Sequence, residues 1–351
     1  MRRVDVTIHD IAFGGKGVAR DEGKAVFVPF TIDGERVSAK ITREKKQFAE
    51  GELIEVLEPS AERATPECLY FGRCGGCSYQ HISYAHQLEL KAKQVEQAMR
   101  RIGRLAEPPM RPMVPSPLPY SYRNRITVHA QDDVVGFYRR DVHELMDIER
   151  CPIAMPEVND ALAQLRASRV RDGHYTLRAH SGPRVFAQTN DAVAEAMANF
   201  IAAIFKGDEK LLIDAFCGAG FFSKRMAPQF ERVVGIDWDR FAIEAAQKDA
   251  SEKEGYVSGD VTTELRWLLQ QSDLASTALI VDPPATGLSA EMRRAILDSP
   301  PRTMIYVSCN PPTLARDIAE MQQRFAVISI TPFDMFPQTA EIEAVVHLKA
   351  L

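Results

Sequence analysis

From about residue 190 onward the chain alternates helical stretches with short apolar runs, a pattern that a parallel sheet covered by helices satisfies and few other folds do. A helix reads over 192–205. Lys210-Leu211-Leu212-Ile213-Asp214-Ala215-Phe216 then reads as a buried strand ending in Cys217-Gly218-Ala219-Gly220. Arg232-Val233-Val234-Gly235-Ile236-Asp237 is a second strand, with a helix over 240–250. Ala278-Leu279-Ile280-Val281-Asp282-Pro283-Pro284 and Met304-Ile305-Tyr306-Val307-Ser308-Cys309-Asn310-Pro311 are further strand ends. A helix over 313–323 and two final strands complete the α/β half.

Ligands in such sheets lie beyond the C-terminal ends of the strands. A glycine turn there lets backbone approach a nucleotide closely, and Gly218-Ala219-Gly220 follows the first strand. Asp237 ends the second strand about 20 residues on, where a carboxylate accepts ribose hydroxyls. Gly259-Asp260 follows another short strand and is placed to meet an adenine, and Asp282 ends the fourth. This succession resembles class I S-adenosylmethionine-dependent methyltransferases. A dehydrogenase carries Gly-x-Gly-x-x-Gly, and here Ser223 stands in place of the third glycine.

Cys309 is the chemical surprise of this edge. A cysteine after an apolar strand is usually a small buried hydrophobe. Pro311 stops this strand and the next helix is expected near Thr313, so Cys309 lies at a helix N-terminus, which favours a thiolate. Carbon 5 of a pyrimidine is too weak a nucleophile to take a sulfonium methyl unaided, and a thiolate added at carbon 6 makes it enolate-like. That scheme also needs a base. Glu341 and Glu343 precede the last strand and, at a spacing of two, are expected to share a face. Cys217 competes as nucleophile but lies inside the glycine loop, and it reads as packing.

Residues 1–58 read as five short strands with glycine turns, a small closed barrel like oligonucleotide-binding folds. Gly14-Gly15-Lys16-Gly17 is not a phosphate loop, because no helix follows it. Residues 59–79 form a Pro/Gly/Cys-rich connector, and a helical pattern covers 84–104. Arg125-Ile126-Thr127-Val128-His129-Ala130 and Val134-Val135-Gly136-Phe137-Tyr138 pair as a hairpin. Within these segments lie Cys68-x5-Cys74-Gly-Gly-Cys77 and, far on, Cys151-Pro152. All-cysteine ligation suits zinc or an iron–sulfur cluster. Zinc ribbons use two Cys-x2-Cys pairs, and only one such pair is present; three clustered cysteines plus a remote Cys-Pro is ferredoxin-like. A radical enzyme's Cys-x3-Cys-x2-Cys spacing is absent.

Taken together, the chain resembles the RNA 5-methyluridine (uracil-5) methyltransferase family, in the branch with an N-terminal TRAM barrel and an iron–sulfur cluster. The matching elements are the four cysteines, Phe186-Ala187-Gln188-Thr189-Asn190, Asp214-Ala215-Phe216-Cys217-Gly218-Ala219-Gly220, Asp282-Pro283-Pro284, Ser308-Cys309-Asn310-Pro311 and Glu343. The resemblance implies Cys309 as nucleophile and Glu343 as base. It implies S-adenosylmethionine contacts at Gln188, Phe216, Asp237, Asp282 and Asp260, beside the glycine turn at Gly218. It also implies a 4Fe-4S cluster on Cys68, Cys74, Cys77 and Cys151. Cytosine-5 enzymes carry a second cysteine after Pro-Pro, and Ala285 stands there. Departures from the family pattern are Asp237 for a usual Glu, Phe221 after the glycine loop, Ala285-Thr286 where Arg is frequent, and Gln338 for a usual His.

Three segments follow from this: a TRAM-like barrel over 1–58, a central α+β cluster-bearing segment over 59–189, and a Rossmann-like class I methyltransferase domain over 190–351. The partner is RNA. Barrel and cluster together resemble enzymes of 23S ribosomal RNA, while some relatives with both act on the transfer RNA T-loop; a non-catalytic assembly factor is the alternative of another class. Net charge of −5 gives no global sign of nucleic-acid binding. Locally, Arg100, Arg101, Arg104, Arg111, Arg123 and Arg125 face one acid, Glu107, with Tyr120 and Tyr122 interleaved for stacking. No run is apolar enough to span a bilayer, and the start shows no signal-peptide pattern. A cytoplasmic monomer is expected.

Overall fold

The computed structural model describes residues 2–168, 170–180 and 188–351. They gather into two compact units. The first comprises residues up to Gln94, the segment from Pro117 to His180, and Phe336–Glu341; the second comprises Val95–Ser116, residues 188–335, and Ile342–Leu351.

In the first unit, β1 (Arg3–Thr7), β2 (Asp10–Ile11), β3 (Lys16–Asp21), β4 (Lys24–Pro29), β5 (Arg36–Glu44) and β6 (Phe48–Glu58) form a sheet in the order β1-β5-β6-β4-β3-β2. Alternation drives it: Val4 and Val6 of β1 turn inward, as do Val26 and Val28 of β4. β2 is two residues long, too short to carry a period, and β3 starts inside the glycine-rich stretch that reads as a turn. Glu35 is fully buried and accepts from Arg63 Nε (2.6 Å) and Nη2 (2.8 Å) and from the backbone N–H of Ile32 and Ser60. Those bonds hold its carboxyl below the usual range despite burial, and they fasten the connector to the sheet.

The unit boundary falls inside helix α1 (Tyr84–Arg101), between Gln94 and Val95. Leu90 joins the core of the N-terminal sheet, whereas Val95 and Met99 join the core of the second unit. The same sheet core contains Tyr79 and, from late in the chain, Ala340. Residues 336–341 are closely tied within this unit. Gln338 O accepts from Ser78 N (3.1 Å) and Tyr79 N (3.0 Å). Gln87 both donates to Gln338 Oε1 (3.0 Å) and accepts from Gln338 N (3.0 Å). Buried Lys91 donates to Phe336 O at 3.0 Å.

The first unit also holds β7 (Arg125–Gln131), β8 (Val134–Tyr138), β9 (Leu145–Asp147), α2 (Pro156–Ala167) and β10 (Gly173–Arg178), with the antiparallel sheet order β10-β7-β8-β9. The expected hairpin is β7-β8. Asp132 and Asp133 make its turn at φ of 51° and 64°, the left-handed pair a two-residue hairpin needs. Gly136 is required, since a side chain there would meet Met146 O at 2.0 Å. α2 packs Val158 and Leu162 onto Val128 and its neighbours. The sequence reading had no β9, α2 or β10. β9 is three residues long and β10 is half exposed, while α2 carries Val158, Leu162 and Leu165 at helical spacing, a signal the sequence reading passed over.

The second unit runs α3 (Asp191–Ala202), β11 (Leu211–Ala215), α4 (Phe221–Met226), β12 (Arg232–Asp237), α5 (Arg240–Lys248), β13 (Glu254–Ser258), α6 (Val261–Gln271), β14 (Thr277–Val281), α7 (Ala290–Asp298), β15 (Thr303–Ser308), α8 (Pro311–Met321), β16 (Phe325–Phe333) and β17 (Glu343–Ala350). Its sheet has the order β13-β12-β11-β14-β15-β17-β16, with β17 antiparallel to both neighbours. β14 and β15 are buried at every residue, as strands covered on both faces must be. The strand order reverses between β11 and β14, the place where such sheets open a crevice. α8 starts at Pro311, not near Thr313. Prolines fit a helix's first turn because its N–H groups have no intrahelical partner.

Candidate active site

Three loops of the second unit leave the same sheet edge. β11 passes to Phe216, whose φ of +67° is strained for a bulky residue. Gly218 and Gly220 follow at φ of 54° and 82°. A side chain at Gly218 would meet nothing within 4 Å, so the turn borders open space. Asp237, at the end of β12, is buried. Its Oδ2 accepts from Gly218 N (2.8 Å) and its Oδ1 from Asp239 N (2.8 Å). The carboxylate therefore braces the glycine turn and retains lone pairs for a ligand.

Asp214 lies within β11, fully buried, and accepts from Ser223 N (2.9 Å) and Oγ (2.5 Å). Its Oδ1 has no hydrogen-bond partner among the described residues. Burial raises its carboxyl, and Asp237 adds to the rise. Asp282, after β14, is likewise raised by burial and then by Asp214. Three carboxyl groups thus gather at one edge in a medium that favours a cationic neighbour. Asp260 is exposed and caps α6, its Oδ1 accepting from Thr263 N and Oγ1, both at 2.8 Å, which lowers its pKa. Gln188 is half-buried ahead of α3, whose cap is buried Asn190. Phe186 and Ala187 lie outside the described residues.

Cys309 follows β15 and is half-buried. Ser308 pairs with Ala344 of antiparallel β17, so the register carries Cys309 to the position opposite Glu343. Opposed residues of such a pair share a face. Glu343 is buried and pairs across its other side with Phe333. The two acids of the sequence reading are therefore not equivalent. β17 starts only at Glu343, and Glu341 is an exposed residue of the preceding loop, so strand alternation does not reach it. Asn310 caps α8, its Oδ1 accepting from Thr313 N at 3.3 Å. Thr313 Oγ1 donates to Ala285 O (3.0 Å), which ties the loop after Asp282 to the helix after Cys309. Buried Asp317 accepts from Tyr306 Oη (2.7 Å), Leu288 N (2.8 Å) and Arg293 Nη1 (3.1 Å), and so anchors α8. Cys217 packs with Ile243, Ala246 and Tyr256. Burial first, then Asp214 and Asp237, push its thiol far up, away from thiolate chemistry.

In the first unit, Cys68, Cys74, Cys77 and Cys151 line a single cavity of about 630 Å³. Burial raises Cys77 to about 12 and Cys151 to about 11, and neighbouring cysteines add to both rises. Gly76 N donates to Cys74 Sγ at 3.4 Å, and Cys151 N to Asn159 Oδ1 at 2.8 Å. Among the described residues no group of three or more His, Cys, Asp or Glu has the closeness that holds a metal ion. The arginine–tyrosine stretch is divided between the two units. Arg100, Arg101, Arg104 and Arg111 belong to the second unit, Arg123 and Arg125 to the first. Tyr122 is buried with its hydroxyl donating to Pro337 O (3.0 Å), so its ring cannot stack on a base. Among the described residues no helix is long and apolar enough to cross a membrane.

Residues 2–54 match the TRAM domain, and residues 166–255 and 266–351 match the family described as tRNA (uracil-5-)-methyltransferase. Three similar proteins are described as uncharacterized RNA methyltransferases. That of Protochlamydia amoebophila is 29% identical, covering 99% of this chain and 98% of its own. That of Aquifex aeolicus is 28% identical, covering 98% of each. That of Thermosynechococcus vestitus is 27% identical, covering 98% and 97%. The crystal structure of Pyrococcus abyssi tRNA (uracil-54, C5)-methyltransferase in complex with S-adenosyl-L-homocysteine is similar in fold. Its TM-score is 0.76 at 22% identity, over 98% of this chain and 100% of that one.

Proposed function

The chain belongs to the tRNA (uracil-5-)-methyltransferase family, and on that premise we propose that it methylates carbon 5 of a uridine through a covalent adduct at Cys309. The observation that carries this reading is the β15–β17 register, which sets Cys309 opposite Glu343 at the sheet edge bearing Asp237 and Asp282. S-adenosylmethionine, when bound, supplies an electrophilic methyl on a sulfonium cation. The gathered carboxyls of Asp214, Asp237 and Asp282 suit that positive charge, and the open space at Gly218 suits its bulk. Gln188, Phe216, Gly218, Asp237, Asp260 and Asp282 are the residues that would hold it.

Cys309 thiolate adds to carbon 6 of the uracil, and the electron pair of the C5–C6 double bond moves onto carbon 5 and the carbonyl beyond it. Carbon 5 takes the methyl as the methyl–sulfur bond breaks and its electron pair stays on the sulfur, which leaves as a neutral thioether. Glu343 removes the proton that remains on carbon 5. The electrons of that C–H bond restore the double bond and expel Cys309 as thiolate. A base inside a duplex is closed to attack at carbon 6, so the uridine must be unpaired or flipped out. The N-terminus of α8, next to Cys309, favours the negative charge the thiolate carries.

The RNA we propose is 23S ribosomal RNA, because the N-terminal TRAM segment and the four-cysteine cavity occur in one chain. The protein would act as a monomer in the cytoplasm. Mass-spectrometric mapping in a strain lacking the gene tests the target. Loss of a 5-methyluridine from 23S RNA is expected. Loss from the transfer RNA T-loop instead would replace that target, and an unchanged RNA with no transfer from tritiated cofactor in vitro would favour an assembly factor.

Cys68, Cys74, Cys77 and Cys151 would hold a 4Fe-4S cluster. The donor set is four thiols around one cavity, with a backbone N–H to sulfur bond of the kind that tunes such clusters. Nothing in the methyl-transfer scheme calls for an electron, so the cluster's service is to link the connector to the Cys151 segment. Anaerobically purified protein is expected to carry about four irons and about four sulfides per chain. Cys74→Ser should lose them and lower the thermal midpoint, whereas zinc at about one per chain would replace the assignment.

A further inference from the structure

We propose that the outward face of the four-stranded sheet is a binding site for unpaired nucleotides of the RNA, where a row of rings stacks bases and an arginine pair takes phosphate. The inference rests on RNA being the substrate, but not on the chemistry at Cys309. β7 turns Ile126, Val128 and Ala130 into the core and Arg125, Thr127 and His129 outward. β10 sets Arg178 opposite Arg125, Thr176 opposite Thr127 and His174 opposite His129. The two threonine hydroxyls meet at 3.1 Å. Rings then run across three strands. His129 lies 6.5 Å from His174 and 4.4 Å from Tyr138, and Tyr138 stacks on His143 at 4.0 Å with 22° between planes.

Like charges set directly opposite each other weaken a sheet, and Arg125 faces Arg178. Burial and the neighbouring Arg178 and Arg123 lower the Arg125 pKa, which an anion placed between them would reverse. Arg125, Arg178, Thr127, Thr176, His129 and Tyr138 all border the cavity that the four cysteines line from its other side. Four arginines line it against one carboxylate, Glu341. Guanidinium for phosphate, hydroxyls for sugar, and flat rings for bases is the combination that single-stranded RNA meets.

Fluorescence anisotropy of the full-length protein with a short fluorescein-labelled single-stranded RNA tests this. Tyr138→Ala and Arg178→Ala should each raise Kd by about tenfold, and Arg178→Ala should also lower the slope of log Kd against log salt by about one. Tyr138→Phe keeps a stacking ring and should bind like the unsubstituted protein. The thermal midpoint and the far-ultraviolet circular dichroism should be unchanged in all three, which separates lost RNA contact from lost fold. Unchanged RNA affinity in both Tyr138→Ala and Arg178→Ala overturns the site, and so does an equal loss in Tyr138→Phe and Tyr138→Ala. If the unsubstituted protein binds RNA through this face yet transfers no methyl, the reaction proposed above falls and this site stands.

Discussion

Cys309→Ala is expected to cut methyl transfer to RNA by on the order of 10⁴-fold or more, with RNA and S-adenosylmethionine binding nearly unchanged. The reason is electronic. Without a substituent at carbon 6, the C5–C6 double bond of uracil holds its electron pair in conjugation, and carbon 5 cannot displace a sulfonium methyl at a useful rate. No neighbour replaces the thiol: Cys217 lies in an apolar cluster with its proton held tightly. RNA carrying 5-fluorouridine sharpens the test. Fluorine at carbon 5 cannot leave as a proton does, so the adduct persists and migrates as a protein–RNA band under denaturing conditions. The band should vanish in Cys309→Ala and remain in Cys217→Ala. The mechanism is falsified if Cys309→Ala methylates at a rate near that of the unsubstituted protein.

Glu343→Gln tests the other half of the chemistry and should give the opposite symptom. Glutamine keeps the volume and hydrogen-bonding reach of glutamate in a site that is buried, but it cannot accept a proton. Addition of Cys309 and methyl transfer can then proceed once, after which the carbon 5 proton has no acceptor and the thiol cannot leave. Turnover should fall about 10²- to 10⁴-fold. A covalent complex should accumulate with ordinary uridine RNA and carry tritium from a labelled cofactor methyl. Cys309→Ala in the same chain should abolish it. Normal turnover by Glu343→Gln, with no complex, would move the role of base to another residue.

These residues were unequally legible. β14 and β15 are apolar at nearly every position, and such runs announce buried parallel strands. Asp282 and Cys309 follow them directly, so the sheet edge could be read from the sequence. The difference between Glu341 and Glu343 could not, because it turns on where β17 begins and spacing alone carries no onset. Asp237 was read as a ligand for ribose, yet its bracing of Gly218 depends on two strands being in register. The outward ring row was half legible: the expected hairpin brings His129 and Tyr138 together, but His174 joins them only through β10, which the sequence reading lacks. His129, Tyr138, His143 and His174 come from separate turns of the chain, and only the β10-β7-β8 pairing aligns them. Tyr122 failed in the other direction: its sequence neighbours suggested a surface, and its hydroxyl found Pro337 more than 200 residues away.

The chain leaves the first unit after Gln94, returns at Pro117, comes back again at Phe336 and departs after Glu341. Ala340 belongs to the core of a sheet whose first strand starts at Arg3, and Gln338 satisfies the N–H groups of Ser78 and Tyr79. During synthesis the N-terminal sheet must therefore wait for residues 336–341 before its core and its buried hydrogen bonds are complete. Contacts of such sequence separation make folding slow, and they leave Tyr79 and Gln87 exposed to wrong partners meanwhile. No single cut divides this protein into two halves that each contain a finished core.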